Sequence, residues 1–302
     1  MNGIKSACCI GMLFAICERV IGQELIPFPQ GAVAIQCPPI QPFGLQPYPP
    51  TSFPPAVPGF DPYILQPEYS LIDRIAFDHR EFYSCESLTL LAGGLGVGGV
   101  MANTSIDTHL RSQFHASFER PIGGTLHQAK ELGNGRYTLP LFAATWVAGN
   151  AFPDSPHLVV AGEWGERSMR SFLVGAPPML LTQRLTGGSR PGETDHASSW
   201  RPFQDNNGVS GHSFMSAIPF INAAKMTDRP LLKGTFYAGS FLGPLSRISD
   251  DAHYTSQAAL GWWFAYLSAT AIDRVNRPGS RLQVQPWISE NGTPGAMFEF
   301  QY

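Results

Sequence analysis

The stretch from Val209 to Met226, VSGHSFMSAIPFINAAKM, decides how the rest of the chain is read. Ser210-Gly211 suits a turn, and Ser213 to Met226 then reads as a helix. A Ser-Gly-His turn that opens a helix gathers a hydroxyl, close backbone N–H groups and an imidazole. Upstream stands Arg190-Pro191. Downstream stand Ser246-Arg247 and, six residues after Arg247, His253. Two planar guanidinium forks suit a tetrahedral oxyanion. Imidazole titrates near neutrality, so one histidine can attack while the other acts as general acid. The ordered set thus holds the parts needed to bind a phosphate-like oxyanion and react with it.

Outward from this stretch the pattern stays helical. From Tyr69 onward, Ser70 to Met101 has a polar first half and an apolar, Gly-rich second half. Gly96, Gly98 and Gly99 follow no strand of a βαβ unit, so close helix packing through small residues explains them better than a nucleotide loop. Ile106, Leu110, Phe114 and Phe118 recur every four residues within Asn103 to Glu119, which predicts an amphipathic helix. Residues 121–157 are punctuated by Gly and Pro and read as irregular. Further helices are expected over Leu158–Thr186, with a bend at Pro177-Pro178, over Pro230–Phe241, and over His253–Val275. After Pro278 the pattern alternates around Asn291-Gly292, which suggests a short β-hairpin over 279–302. The fold class expected is mainly α.

The chain has 302 residues, ample for one large core. Only 14% of them are charged, well under the usual quarter. Such a composition fits buried helical faces or a membrane-associated protein. The net charge of −3 offers no basic field for nucleic acid. No CxxC or HExxH pattern points to a metal. At the N-terminus, Lys5 precedes the apolar run Ala7 to Cys17. That length suits an export signal over 1–22 better than a spanning helix. Residues 23–68 follow as an extended arm. Thirteen prolines fall between residues 24 and 67, with no Lys or Arg. Repeated Pro removes backbone donors and works against a packed element. Export would leave Cys37 and Cys85, either bonded to each other or as two thiols.

The three blocks resemble those of the type 2 phosphatidic acid phosphatase and vanadium haloperoxidase superfamily. That family carries Lys-x6-Arg-Pro, then Pro-Ser-Gly-His, then Ser-Arg-x5-His-x3-Asp. The likeness spans residues 155–275. It implies a helical bundle of the acid phosphatase and haloperoxidase type over 69–278. It also implies roles. Arg190, Ser210, the Gly211 backbone and Arg247 would bind phosphate oxygens. His253 would attack phosphorus and become a phospho-histidine, and His212 would protonate the leaving oxygen. The expected substrate is a phosphorylated small molecule or lipid, with peripheral membrane contact and an exported, periplasmic or membrane-associated location. No cofactor is expected; vanadate would enter only for a haloperoxidase, with His253 as its ligand.

Three positions depart from the family pattern. Gln183 stands where the family has Lys, with Arg184 beside it as a substitute one helical step, about 100°, away. Val209 replaces Pro. Gln257 stands where the family has Asp. A Gln carbonyl can accept the histidine Nδ1–H and fix the tautomer, but it adds no negative charge. In a serine protease the corresponding Asp-to-Asn change costs about 10⁴ in rate. Turnover is therefore in question more than anion binding, and a non-catalytic phosphate or phospholipid-headgroup binder competes with the phosphatase. Asp250 and Asp251 are alternative carboxylates for His253.

Overall fold

A computed structural model describes residues 69–117, 126–276, 281–288 and 294–301. All belong to the unit Gln46–Tyr302. The expected export segment, the Pro-rich arm, Cys37, Phe118 and Asn291-Gly292 lie outside the described residues. Cys85 is disulfide-bonded.

The described part is mainly helical. The helices are α1 (Leu71–Phe82), α2 (Cys85–Ala102), α3 (Ile106–Ser117), the 3₁₀ turn η1 (Ala129–Gly133), α4 (Gly135–Ala151), α5 (Pro156–Thr186), α6 (Gly211–Lys225), α7 (Pro230–Gly239), α8 (Leu242–Ser249) and α9 (Thr255–Asn276). The strands β1 (Arg281–Ile288) and β2 (Pro294–Gln301) pair antiparallel, with Arg281 opposite Gln301.

Local chemistry explains the boundaries. The run Ser70 to Met101 is two helices rather than one. Ser70 caps α1 through a box in which its Oγ accepts from Asp73 N and the Asp73 carboxylate accepts from Ser70 N. Ser84 then caps α2 by accepting from Ser87 N, so the chain restarts there. Residues 135–151, expected as irregular, form α4. Asn134 caps it through Arg136 N, and Pro140 lies inside it. As the sixth residue of α4, Pro140 gives up one i→i−4 bond, that to the Arg136 carbonyl, and the helix continues through it. Helix α5 runs unbroken through Pro177 and Pro178 and ends at Gly187, whose φ of 58° is left-handed. Helix α8 lies between the helices expected over Pro230–Phe241 and His253–Val275.

The core lies where α5, α6 and α9 meet. Val174, Phe214, Ile218, Ile221, Phe264 and Leu267 are buried there. Helix α2 packs on α9 through a small residue: a Cβ on Gly98 would come within 2.8 Å of Leu260 Cδ1. Its opposite face, with Leu88, Val97 and Val100, is exposed. Among the described residues, α2 alone is long and apolar enough to cross a membrane.

Charged residues also enter the interior. Arg170 of α5 donates from Nε and NH2 to the two oxygens of Asp78 in α1, at 2.7 Å each. Its NH1 reaches Glu166 at 3.0 Å, which also takes Arg74 at 2.6 Å. Arg167 holds Glu163 through Nε at 2.9 Å and Asp273 of α9 at 3.3 Å. These pairs tie α1, α5 and α9 together.

Candidate anion site

Three chain segments build the site. The first is the loop after α5. Gly187 ends the helix, and the loop carries Arg190, whose Nε donates to Asn207 Oδ1 at 3.0 Å. The Arg190 backbone N–H donates to Glu193 at 2.9 Å.

The second segment is the N-terminus of α6. Ser210 is its cap and is fully buried; its Oγ accepts from Ser213 N at 3.3 Å. The hydroxyl proton stays available to donate. Gly211 and His212 form the first turn, where backbone N–H groups and the helix dipole favour an anion. This turn is tightly backed by α9. A Cβ on Gly261 would lie 2.3 Å from the Ser210 carbonyl oxygen.

The third segment runs from α8 into α9. The Arg247 carbonyl accepts from both Ala252 N, at 3.0 Å, and His253 N, at 3.2 Å. Those two bonds close the six-residue interval between Arg247 and His253. Asp107 of α3 then receives Ser256 N at 2.9 Å, so a buried carboxylate starts α9.

Gln257 joins all three segments. Its backbone carbonyl accepts from Ser210 N at 2.9 Å. Its Oε1 lies 3.0 Å from His253 Nδ1 and accepts from Tyr254 N at 3.1 Å. Its Nε2 donates to Ser189 O, next to Arg190, at 2.7 Å. These partners fix the amide orientation, because a flip would set N–H against N–H and oxygen against oxygen. They also fix the tautomer: His253 carries its proton on Nδ1 and keeps a lone pair on Nε2.

The electrostatics follow from burial and two arginines. Burial, with Arg190, Arg247 and His212 adding to it, pushes the His253 pKa down to about 3, against the Gln257 bond. His253 is thus neutral over most of the pH range. His212 is solvent-facing, yet partial desolvation, Arg247 and Arg190 lower its pKa too. Desolvation also lowers the Arg247 pKa, and Arg190 adds to the effect. Arg247 NH1 lies 3.5 Å from Asp250, and its buried Nε has no hydrogen-bond partner.

The sequence candidates thus separate. Arg190, Ser210, Gly211, His212, Arg247, His253 and Gln257 lie on these three joined segments. Gln183 points to the same turn but spends an Nε2 proton on Val209 O at 2.6 Å. Arg184 faces solvent. Asp251 is held by Arg111 through Nε at 2.6 Å, and Asp250 by His127 at 2.9 Å; Gln257 is the partner on His253 Nδ1. Ser189, Tyr254 and Asp107 have structural parts that no motif signalled. No metal-holding group of His, Cys, Asp and Glu occurs among the described residues.

A cavity of about 500 Å³ is lined by Leu132, Phe142, Val160, Trp164, Phe220 and Met226 among others. Gly133, the residue after Leu132, abuts the His212 backbone: a Cβ there would lie 2.4 Å from the His212 carbonyl oxygen. Against known proteins, no family model, no curated protein and no solved structure matches this chain.

Proposed function

We propose that this chain is an exported phosphatase that hydrolyses phosphomonoesters through a phospho-histidine. In this reading the helices form a bundle of the acid phosphatase and haloperoxidase type, closed by a C-terminal hairpin. The observation that carries it is the state of His253: neutral, held through Nδ1 by Gln257, and under the influence of Arg190 and Arg247. A lone pair on Nε2 is what a nucleophile needs.

The reaction divides into two steps. His253 Nε2 attacks phosphorus, and the ester oxygen leaves with a proton from His212. Water then attacks the phospho-histidine with His212 as base, releasing phosphate and restoring His253. Arg190, Arg247, the Ser210 hydroxyl and the first N–H groups of α6 offset charge on the three equatorial oxygens. The apolar cavity, whose lining residue Leu132 precedes the Gly133 that abuts the His212 backbone, supports an amphiphilic substrate such as a lipid phosphate. Each buried methylene would add about 0.8 kcal/mol to binding. The exposed apolar face of α2 supports peripheral membrane contact.

A second reading has its own observation. Gln257 and Gln183 are both neutral where charge would speed the chemistry, which favours a phosphate or phospholipid-headgroup binder without turnover. Phosphate release from p-nitrophenyl phosphate separates the two. We expect release by the wild type and its loss in His253→Ala. Tight phosphate binding with no release at any acidic or neutral pH would leave the binder reading standing instead.

A further inference from the structure

The site has two arginines but no cation at position 183, where the Gln183 side chain bonds Val209 O. Arg184 faces solvent. Another cation approaches from η1. That turn packs against α6 and α8. Gly133 at its end meets the His212 backbone, as the 2.4 Å approach of a built Cβ shows. A 3₁₀ helix has three residues per turn, and side chains at i and i+3 eclipse. Lys130 therefore lies one turn from Gly133 on the same face, the face against His212.

A chain of bonds connects it to the second arginine. Lys130 Nζ is 2.6 Å from His127 Nε2. His127 Nδ1 is 2.9 Å from Asp250 Oδ1. Asp250 Oδ2 is 3.5 Å from Arg247 NH1. An ammonium only donates, so His127 accepts at Nε2 and gives its own Nδ1–H to Asp250. Lys130 keeps two further N–H donors. Its charge also acts on His212, in the direction that lowers the imidazole pKa.

We propose that Lys130 is a third cationic ligand of the phosphate, delivered from η1 rather than from α5 and positioned by His127 and Asp250. This rests on the reading of the site as a phosphate site. The test uses the full chain and two probes, inorganic phosphate for binding and p-nitrophenyl phosphate for turnover. Lys130→Met should weaken phosphate binding about tenfold to a hundredfold, the worth of one hydrogen bond to a charged group. The loss should fall on KM more than on kcat. Lys130→Arg should retain most of the affinity. Gln183→Lys, added to Lys130→Met, should restore it, a result that lost packing alone would not give. Should Lys130→Met unfold, Lys130→Gln is measured in its place. Phosphate affinity unchanged in the folded Met or Gln variant, with binding abolished by Arg247→Ala, would overturn the role of Lys130 alone. Binding unaffected by Arg247→Ala as well would overturn the site reading and this proposal together.

Discussion

Two groups of arginines in this molecule are built in opposite ways. In α5, Arg167 and Arg170 are each about 1% exposed, and every guanidinium meets carboxylates at hydrogen-bond distance. At the anion site, Arg190 Nε meets an amide oxygen, and Arg247 has one carboxylate, Asp250, at 3.5 Å while its Nε meets no partner. The first group is internally satisfied and holds helices together. The second keeps donors in reserve. The difference teaches that arginine pairing, more than arginine burial, separates scaffold from site. A buried ion pair adds little net stability over an apolar pair, but breaking one strands a charge.

That contrast gives the largest expected effect. Arg170→Met should cost about 3–5 kcal/mol in urea unfolding, because Asp78 is left buried without its partner. Arg247→Met should cost less than about 1 kcal/mol, since its removal relieves an unpaired donor. In exchange it should abolish phosphate binding. Equal stability losses in the two variants would break the comparison.

Next in size is the effect of charge at position 257. Gln257→Asp puts a carboxylate near His253 Nδ1 and should raise kcat by about tenfold or more, since the imidazolium-like transition state gains a counter-charge. It also removes the donor to Ser189 O that steadies the Arg190 loop, so KM should rise too. Steady-state kinetics with p-nitrophenyl phosphate reads both. A fall in kcat would mean that the amide is the better partner here.

The pH profile sharpens the same picture. His253 must be neutral, so activity falls as pH drops through about 3. His212 must be protonated to act as acid, so activity also falls as pH rises through a value below the usual 6.5. The profile of kcat/KM is therefore confined to acid. Gln257→Asp should raise the His253 pKa and move the acid limb upward. An optimum above neutrality would remove His212 from its role.

The last effect is steric. Gly261→Ala drives a methyl into the Ser210 carbonyl and should cost about 1–3 kcal/mol. Phosphate affinity should drop with it, because the α6 turn must shift. Thermal unfolding and phosphate titration check this pair of changes.

Part of the helical character was legible from apolar periodicity, as in α3. The helix α4 was not, because Gly135, Pro140 and Gly149 look like punctuation; its Asn134 cap and tertiary packing outweigh that local signal. The split at Tyr83-Ser84 was hidden by two polar residues that serve equally as helix surface or cap. At the site, residue chemistry together with the family resemblance of the three blocks singled out Arg190, Ser210, His212, Arg247 and His253. The sequence could not reveal that Gln257 uses its backbone and both amide ends, since those partners are distant in the chain. Lys130 was invisible for the same reason: it lies in a segment with no motif, and only packing brings η1 to His212.

The central claim is that His253 Nε2 is the nucleophile. Its most direct test is to mix the chain with excess p-nitrophenyl phosphate, quench within one turnover in alkali, and locate phosphate by peptide mass spectrometry. The account predicts phosphate on His253 in the wild type, and more of it in His212→Ala if the second step is slowed further than the first. Turnover by the wild type with no phosphate on His253, and turnover retained in His253→Ala, would contradict it.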